Sequence, residues 1–264
     1  MTYRRLAWAP PVLVAAFSVV YLVVPAAMHE AALVGEIELS KGLAVMGCVA
    51  AALAFDREDY LRRAWLLLAA STVFLFARDV FALQAHPSPS DVVPLAIEGT
   101  LATAGNACSV AGTWMLARAW RVAGLEDHES RSRETWLLVG TVTLAVLVTG
   151  LPLVSDARAL LGGQVFAVVP LASDVADAVV LALLAPLAQT AIAMRGGLLR
   201  WPWALLTASG ALWLVFDATY GITALMHVDA SRVHPVLEAM RALPTLYGFA
   251  AGMAQRQVAT HAEG

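Results

Sequence analysis

Long apolar runs alternate with short, Arg-rich breaks along the whole chain. Eight runs stand out, at residues 6–28, 33–55, 64–85, 92–117, 135–154, 165–194, 201–226 and 235–254. At 1.5 Å per helical residue, a run of ~20 residues crosses a hydrocarbon core ~30 Å thick. The pattern predicts an all-α polytopic membrane protein with eight transmembrane helices. The first run, preceded by Arg4 and Arg5 and containing Pro25-Ala26-Ala27, has the outline of a secretory signal. Its length and its counterpart in the second half favour a retained span.

Composition agrees with that reading. The chain has 264 residues, 60% apolar and 14% charged, with a mean hydropathy of +0.72. Soluble domains carry roughly 25% charged residues, so too few polar side chains exist here to coat a globule in water. Eight spans use up the chain, and no soluble catalytic domain is expected. Cys48 and Cys108 lie inside apolar runs without a CxxC spacing and read as small hydrophobes. The net charge of −3 gives no reason to expect a nucleic-acid partner.

The distribution of charge sets the orientation. With the N-terminus in the cytoplasm, twelve of the seventeen Lys and Arg fall inside: Arg4, Arg5, Arg57, Arg62, Arg63, Arg118, Arg121, Arg131, Arg133, Arg195, Arg200 and Arg256. This positive-inside bias and the even helix count predict an N-in, C-in protein of a bacterial cytoplasmic (inner) membrane. Twelve of the twenty acids fall on the outer side. Trp8, Trp65, Trp114, Trp120, Trp136, Trp201 and Trp203, with Tyr3 and Tyr60, gather at the inner boundary as an aromatic belt.

The chain also resembles itself. A shift of 138 places Arg62, Trp65, Leu67, Leu68, Ala70, Ser71 and Asp79 on Arg200, Trp203, Leu205, Leu206, Ala208, Ser209 and Asp217. With small length changes, Pro94 and Glu98 fall on Pro235 and Glu238, and Gly112 on Gly252. This predicts two parallel four-helix repeats, residues 1–122 and 135–257, joined by a cytoplasmic linker over 123–134 and followed by a tail at 258–264. An even number of helices per repeat makes the repeats parallel, related by an axis near the membrane normal.

Ionisable groups inside the apolar runs are the candidate chemistry. Asp79 lies about 25 Å along its helix from Arg62, and Asp217 holds the matching place in the second half. Glu98 and Glu238 enter from the outer ends of the fourth and eighth helices. Asp174 and Asp177 share a face of the sixth. The second helix can span only by drawing in Glu36, Glu38, Ser40 and Lys41, which cannot face lipid without a cost of several kcal/mol. One reading makes these groups structural ion pairs, with Lys41, Arg78 and Arg241 each neutralising a carboxylate. The other has them bind a small molecule, proton or cation in an outward-facing acidic cavity, with Asp79/Glu98 and Asp217/Glu238 as matched pairs.

Other chemistry is sparse. His29, His86, His227 and His234 collect at outer helix ends, and His234 with Glu238, near Asp229, is a weak candidate for a divalent metal. Nothing matches GxSxG, HExxH, a P-loop or a Rossmann turn, and no cofactor is expected. Retinal is excluded, since Lys41 is the only lysine and the last helices have none. Pro152, Pro170, Pro186 and Pro244 are candidate kink sites.

Two family resemblances follow from particular residues. Pro202-Trp203-Ala204-Leu205-Leu206, continuing through Trp213 to Asp217 and Tyr220, resembles the multi-pass sensory regions of bacterial diguanylate cyclases and histidine kinases. That resemblance implies a sensor acting through a membrane or cytoplasmic signalling partner. Lys41, Asp79 and the stretch from Ser209 to Asp217 are similar in layout to the YhhN lysoplasmalogenases, eight-helix lipid hydrolases. It implies catalytic Asp79 and Asp217 with Lys41 in the site. In this chain the family's Gly-Asp and Ser-Asp pairs stand as Arg78-Asp79 and Phe216-Asp217. The first expectation is a non-enzymatic ligand-binding sensor or accessory module. A cation- or proton-coupled small-solute transporter and a lipid hydrolase are the alternatives. Expected partners are membrane lipids, a small-molecule or cation ligand and a signalling protein.

Overall fold

The computed structural model describes residues 3–85, 91–122, 131–194, 197–226 and 230–262. Within them the chain forms α1 (Tyr3–Val23), α2 (His29–Ala52), α3 (Tyr60–Ala85), α4 (Val92–Val122), α5 (Arg131–Leu161), α6 (Val168–Ala193), α7 (Arg200–Leu225) and α8 (Ala230–Ala262). Single 3₁₀ turns, Ala26–Met28 and Val165–Ala167, lead into α2 and α6. No strand occurs among the described residues. Four segments, Tyr3–Val23, Tyr60–Ala85, Thr135–Leu161 and Val165–Ala193, are long and apolar enough to cross a membrane. Much of the apolar surface of α1 and α5 is bare: Leu22 and Val23 are 77% and 78% exposed, and Leu147 is 68% exposed. A protein in water rarely presents so much contiguous apolar area, whereas lipid matches it.

Local chemistry explains where the helices stop. The first apolar run breaks at Val23 rather than continuing to Met28, because Pro25 disfavours helical dihedrals at Val24 and donates no N–H. Asp59 Oδ1 accepts the Leu61 N–H at 2.6 Å, and the Arg62 guanidinium reaches back to the Phe55 carbonyl at 3.2 Å, fixing the start of α3. Pro170 falls in the first turn of α6, where no intrahelical bond is lost, while Pro186 lies in the helix interior. The acidic stretch centred on Glu126, Asp127, His128 and Glu129 lies outside the described residues, as do His86, His227 and Asp229.

The helices form two compact units. One comprises Met1–Arg62 with Leu187–Gly264, and the other Arg63–Pro186. In the first, α8 is the hub, packing on α2, α7 and α1. Leu33, Ile37, Ser40, Ala44, Gly47 and Ala51 follow one another at alternating four- and three-residue steps as the buried seam of α2. The buried stripe of α8 is Ala242, Leu246, Ala250, Ala254 and Val258, one residue per turn. These side chains are small, so the helices approach closely: a Cβ at Gly47 would meet the Phe249 backbone, and one at Gly252 would meet the Gly47 backbone. Ser209 Oγ of α7 donates to the Pro244 carbonyl of α8 at 2.7 Å.

In the second unit, α3 and α4 pack antiparallel. Gly105 lies against Leu75 and the Ser71 carbonyl, and Gly112 against Leu68 and the Ala64 carbonyl. Helix α4 also meets α6, where Gly99 abuts Val169 and Asn106 Nδ2 donates to Ser173 Oγ at 2.7 Å.

Candidate functional site

Helices α2 and α8 run side by side in the same direction. Glu30 pairs in register with His234, Glu36 stands near Glu238, and Gly47 lies against Phe249 further along. Their C-terminal parts meet through glycine and alanine, and their N-terminal parts carry the charge. The seam of α2 explains why. Glu36 and Ser40 are one turn apart on the face that continues into Ala44 and Gly47, so burying the apolar seam carries the carboxylate in with it.

Glu36 is only 4% exposed, and its Oε1 has no hydrogen-bond partner. Two residues on, Glu38 Oε1 receives the Lys41 ammonium at 2.8 Å while its Oε2 is buried without a partner. Ser40 Oγ turns to its own helix, donating to the Glu36 carbonyl at 2.7 Å. Within α8, Arg241 Nη1 lies 3.5 Å from Glu238 Oε2, and His234 Nδ1 lies 3.9 Å from Glu238 Oε1. These residues set three carboxylates, Glu36, Glu38 and Glu238, against two permanent cations, Lys41 and Arg241. His234 is the exposed member. A buried carboxylate oxygen without a donor costs a full desolvation penalty, which a proton, a cation or an ammonium group relieves.

Arg78 grips Asp79 through Nη2 at 2.6 Å and Nε at 2.7 Å, an ion pair within α3. Asp79 and Glu98 belong to the second unit, Asp217 and Glu238 to the first. Glu98 is half-buried on α4, and Asp217 half-buried on α7. Asp174 and Asp177 on α6 are close enough to repel one another, and Asp156 of α5 lies within electrostatic reach of Asp174. Asp174 Oδ2 is buried without a hydrogen-bond partner.

The structure thus brings His234 and Glu238 of α8, with Arg241 beside Glu238, to Glu30 and Glu36 of α2, while Glu38 and Lys41 pair with one another within α2. At 3.9 Å, the contacts of His234 with Glu238 and Glu30 are ion-pair distances, nearly twice a metal–ligand bond. Among the described residues, no group of three or more His, Cys, Asp or Glu is placed to hold a metal ion. Glu36, the most buried acid of the set, was legible in the sequence only as a polar residue forced into a span. The register of the α2 seam is the signal that puts it at the interface. Asp156 had no sequence signal, because its role depends on how α5 meets α6. No family model, no curated protein and no solved structure matches this chain.

Proposed function

We propose that the chain is a non-enzymatic ligand-binding module of a bacterial inner membrane, a sensor or accessory subunit. Its eight helices span the bilayer with both termini cytoplasmic. The carboxylates between α2 and α8 receive a small cationic ligand or a proton from the outer side, and a signalling partner reads the result. The observation that carries this reading is the Glu36 carboxylate, nearly inaccessible to solvent, within electrostatic reach of Glu238 and lacking a donor at Oε1. A group held only to stabilise the fold would be expected to carry its own counter-charge, as Asp79 and Glu38 do.

Several relationships support the two-repeat, parallel arrangement. A 3₁₀ turn precedes α2 and α6, which the 138-residue shift superposes. Helices α3 and α7 each contain 26 residues. The close pairs α2 with α8 and α4 with α6 also correspond under that shift. In this scheme each compact unit takes two helices from one repeat and two from the other.

Cation- or proton-coupled transport would use the same carboxylates, and lipid hydrolysis would use Asp79 and Asp217. Reconstituted vesicles separate the three. Transport predicts solute flux that follows an ion or pH gradient and is lost in Glu36→Gln. Hydrolysis predicts product from a lysolipid, lost in Asp79→Asn and Asp217→Asn. The module proposed here predicts neither turnover nor flux, together with thermal stabilisation by ligand that Glu36→Gln abolishes. Robust turnover by the wild type would overturn it.

A further inference from the structure

A groove of about 450 Å³ runs between α4 and α6 within the Arg63–Pro186 unit, on other helices than the α2 and α8 carboxylates. Thr103, Ala107 and Ala111 follow at four-residue spacing along its α4 side, with Ala172 and Ala176 doing the same on α6. The floor is therefore short-chained, and the walls are apolar. Asn106 lines the groove too, but its amide is spent on Ser173. An occupant is offered apolar surface along almost the whole length, which from Thr103 to Trp114 is about 16 Å.

The groove is polarised at one end. Trp114 lines it there and is 47% exposed. One turn on, the Arg118 guanidinium lies over the indole, 4.7 Å from the ring centroid. Arg118 has no carboxylate partner among the described residues. It stands 26 residues after Val92, ~39 Å along α4, which exceeds a ~30 Å hydrocarbon core and brings its charge to headgroup level. A tryptophan beneath it is the usual marker of that boundary. An apolar channel inside the core with the Arg118 guanidinium at its mouth is complementary to an anionic amphiphile.

We propose that this groove holds an acyl chain of one anionic diacylphospholipid, whose phosphate is received by Arg118. Trp114 closes the channel between tail and headgroup. Small side chains facing each other across it leave room for the chain without moving either helix. A lipid so placed acts as a wedge between α4 and α6, whose contacts include Asn106–Ser173 and Gly99–Val169.

The test is native mass spectrometry of the full chain, purified in detergent and offered phosphatidylglycerol and phosphatidylcholine in equal amounts. The wild type is expected to retain one phosphatidylglycerol through delipidation. Arg118→Gln, which removes the exposed guanidinium stacked on Trp114, is expected to lower the preference for phosphatidylglycerol roughly fivefold, the worth of one basic residue near an anionic headgroup. Ala107→Leu and Ala176→Leu fill the groove and are expected to abolish retention while helical circular dichroism stays unchanged. Equal retention in the filled, folded variants would overturn the proposal, as would an unchanged lipid preference in Arg118→Gln. Dimers of the wild type that the leucine variants dissociate would assign the groove to a second copy of the chain instead.

Discussion

Gly252 of α8 rests on the backbone of Gly47 of α2, with no room between them for a methyl group. That contact sets the separation of the two helices and so keeps Glu36 of α2 within electrostatic reach of Glu238 of α8 towards their N-terminal ends. Gly252→Ala forces backbone atoms apart, and no side chain can rotate to relieve it. The expected cost is about 3 kcal/mol, at the upper end of core overpacking, read as a fall in the midpoint of thermal unfolding in detergent. Gly35→Ala, where an added Cβ meets nothing, is the control and is expected to be neutral or slightly stabilising.

The hydrogen bond from Ser209 to the Pro244 carbonyl joins α7 to α8 inside the same unit. Ser209→Ala is expected to cost roughly 0.5–1 kcal/mol, the usual worth of an interhelical hydroxyl bond. Ser209→Cys, similar in size and a poor donor, is expected to fall near it. A cost above 2 kcal/mol for both would mean that the hydroxyl has a role beyond this bond.

Arg78 and Asp79 form a pair that is mostly screened from solvent, their side chains 28% and 15% exposed. Arg78→Ala leaves the carboxylate without this counter-charge and is expected to destabilise by roughly 1–3 kcal/mol, below the range for a fully buried pair. Asp79→Asn combined with Arg78→Ala is expected to recover much of that loss, since no charge then remains to be neutralised. A double variant no better than the single would show that Asp79 is held chiefly by other partners.

Much of the fold was legible in the sequence, and the reasons are specific. Apolar run length located all eight helices, because hydrophobic periodicity is a local signal, but α5 and α8 run beyond the expected 135–154 and 235–254 to Arg131–Leu161 and Ala230–Ala262, since polar helical turns leave no trace in hydropathy. The early end of α1 follows from Pro25 alone. The i, i+3 spacing of Glu238 with Arg241 was enough to anticipate their pairing. Partner choice was not legible. Alanine- and glycine-rich stripes occur on several helices and are nearly interchangeable as docking faces, so nothing local told α2 to pack on α8. For that reason the presence of Glu36 of α2 within electrostatic reach of Glu238 had no signal in the sequence. The grouping of α1 and α2 with α7 and α8 depends on the same long-range choice.

Orientation is open to a direct test. With Cys48 and Cys108 replaced by alanine, a cysteine at Glu58, between α2 and α3, is expected to react with an impermeant maleimide only after cells are permeabilised. A cysteine at Asp91, just before α4, is expected to react on intact cells. The reverse pattern would turn the protein over and place the α2 and α8 carboxylates nearer the cytoplasm. Labelling of both sites on the same side would remove α3 as a span.

The central claim is that the Glu36 carboxylate takes a cation or proton between α2 and α8. Its most direct test is thermal unfolding of wild type and Glu36→Gln, titrated with sodium, potassium and methylammonium at constant ionic strength, at one acidic and one alkaline pH. The account predicts that the wild type gains stability with at least one cation or on acidification. Glu36→Gln, its charge already removed, should start higher at alkaline pH and respond to none of them. Parallel curves for the two proteins would contradict it and leave Glu36 as a structural group.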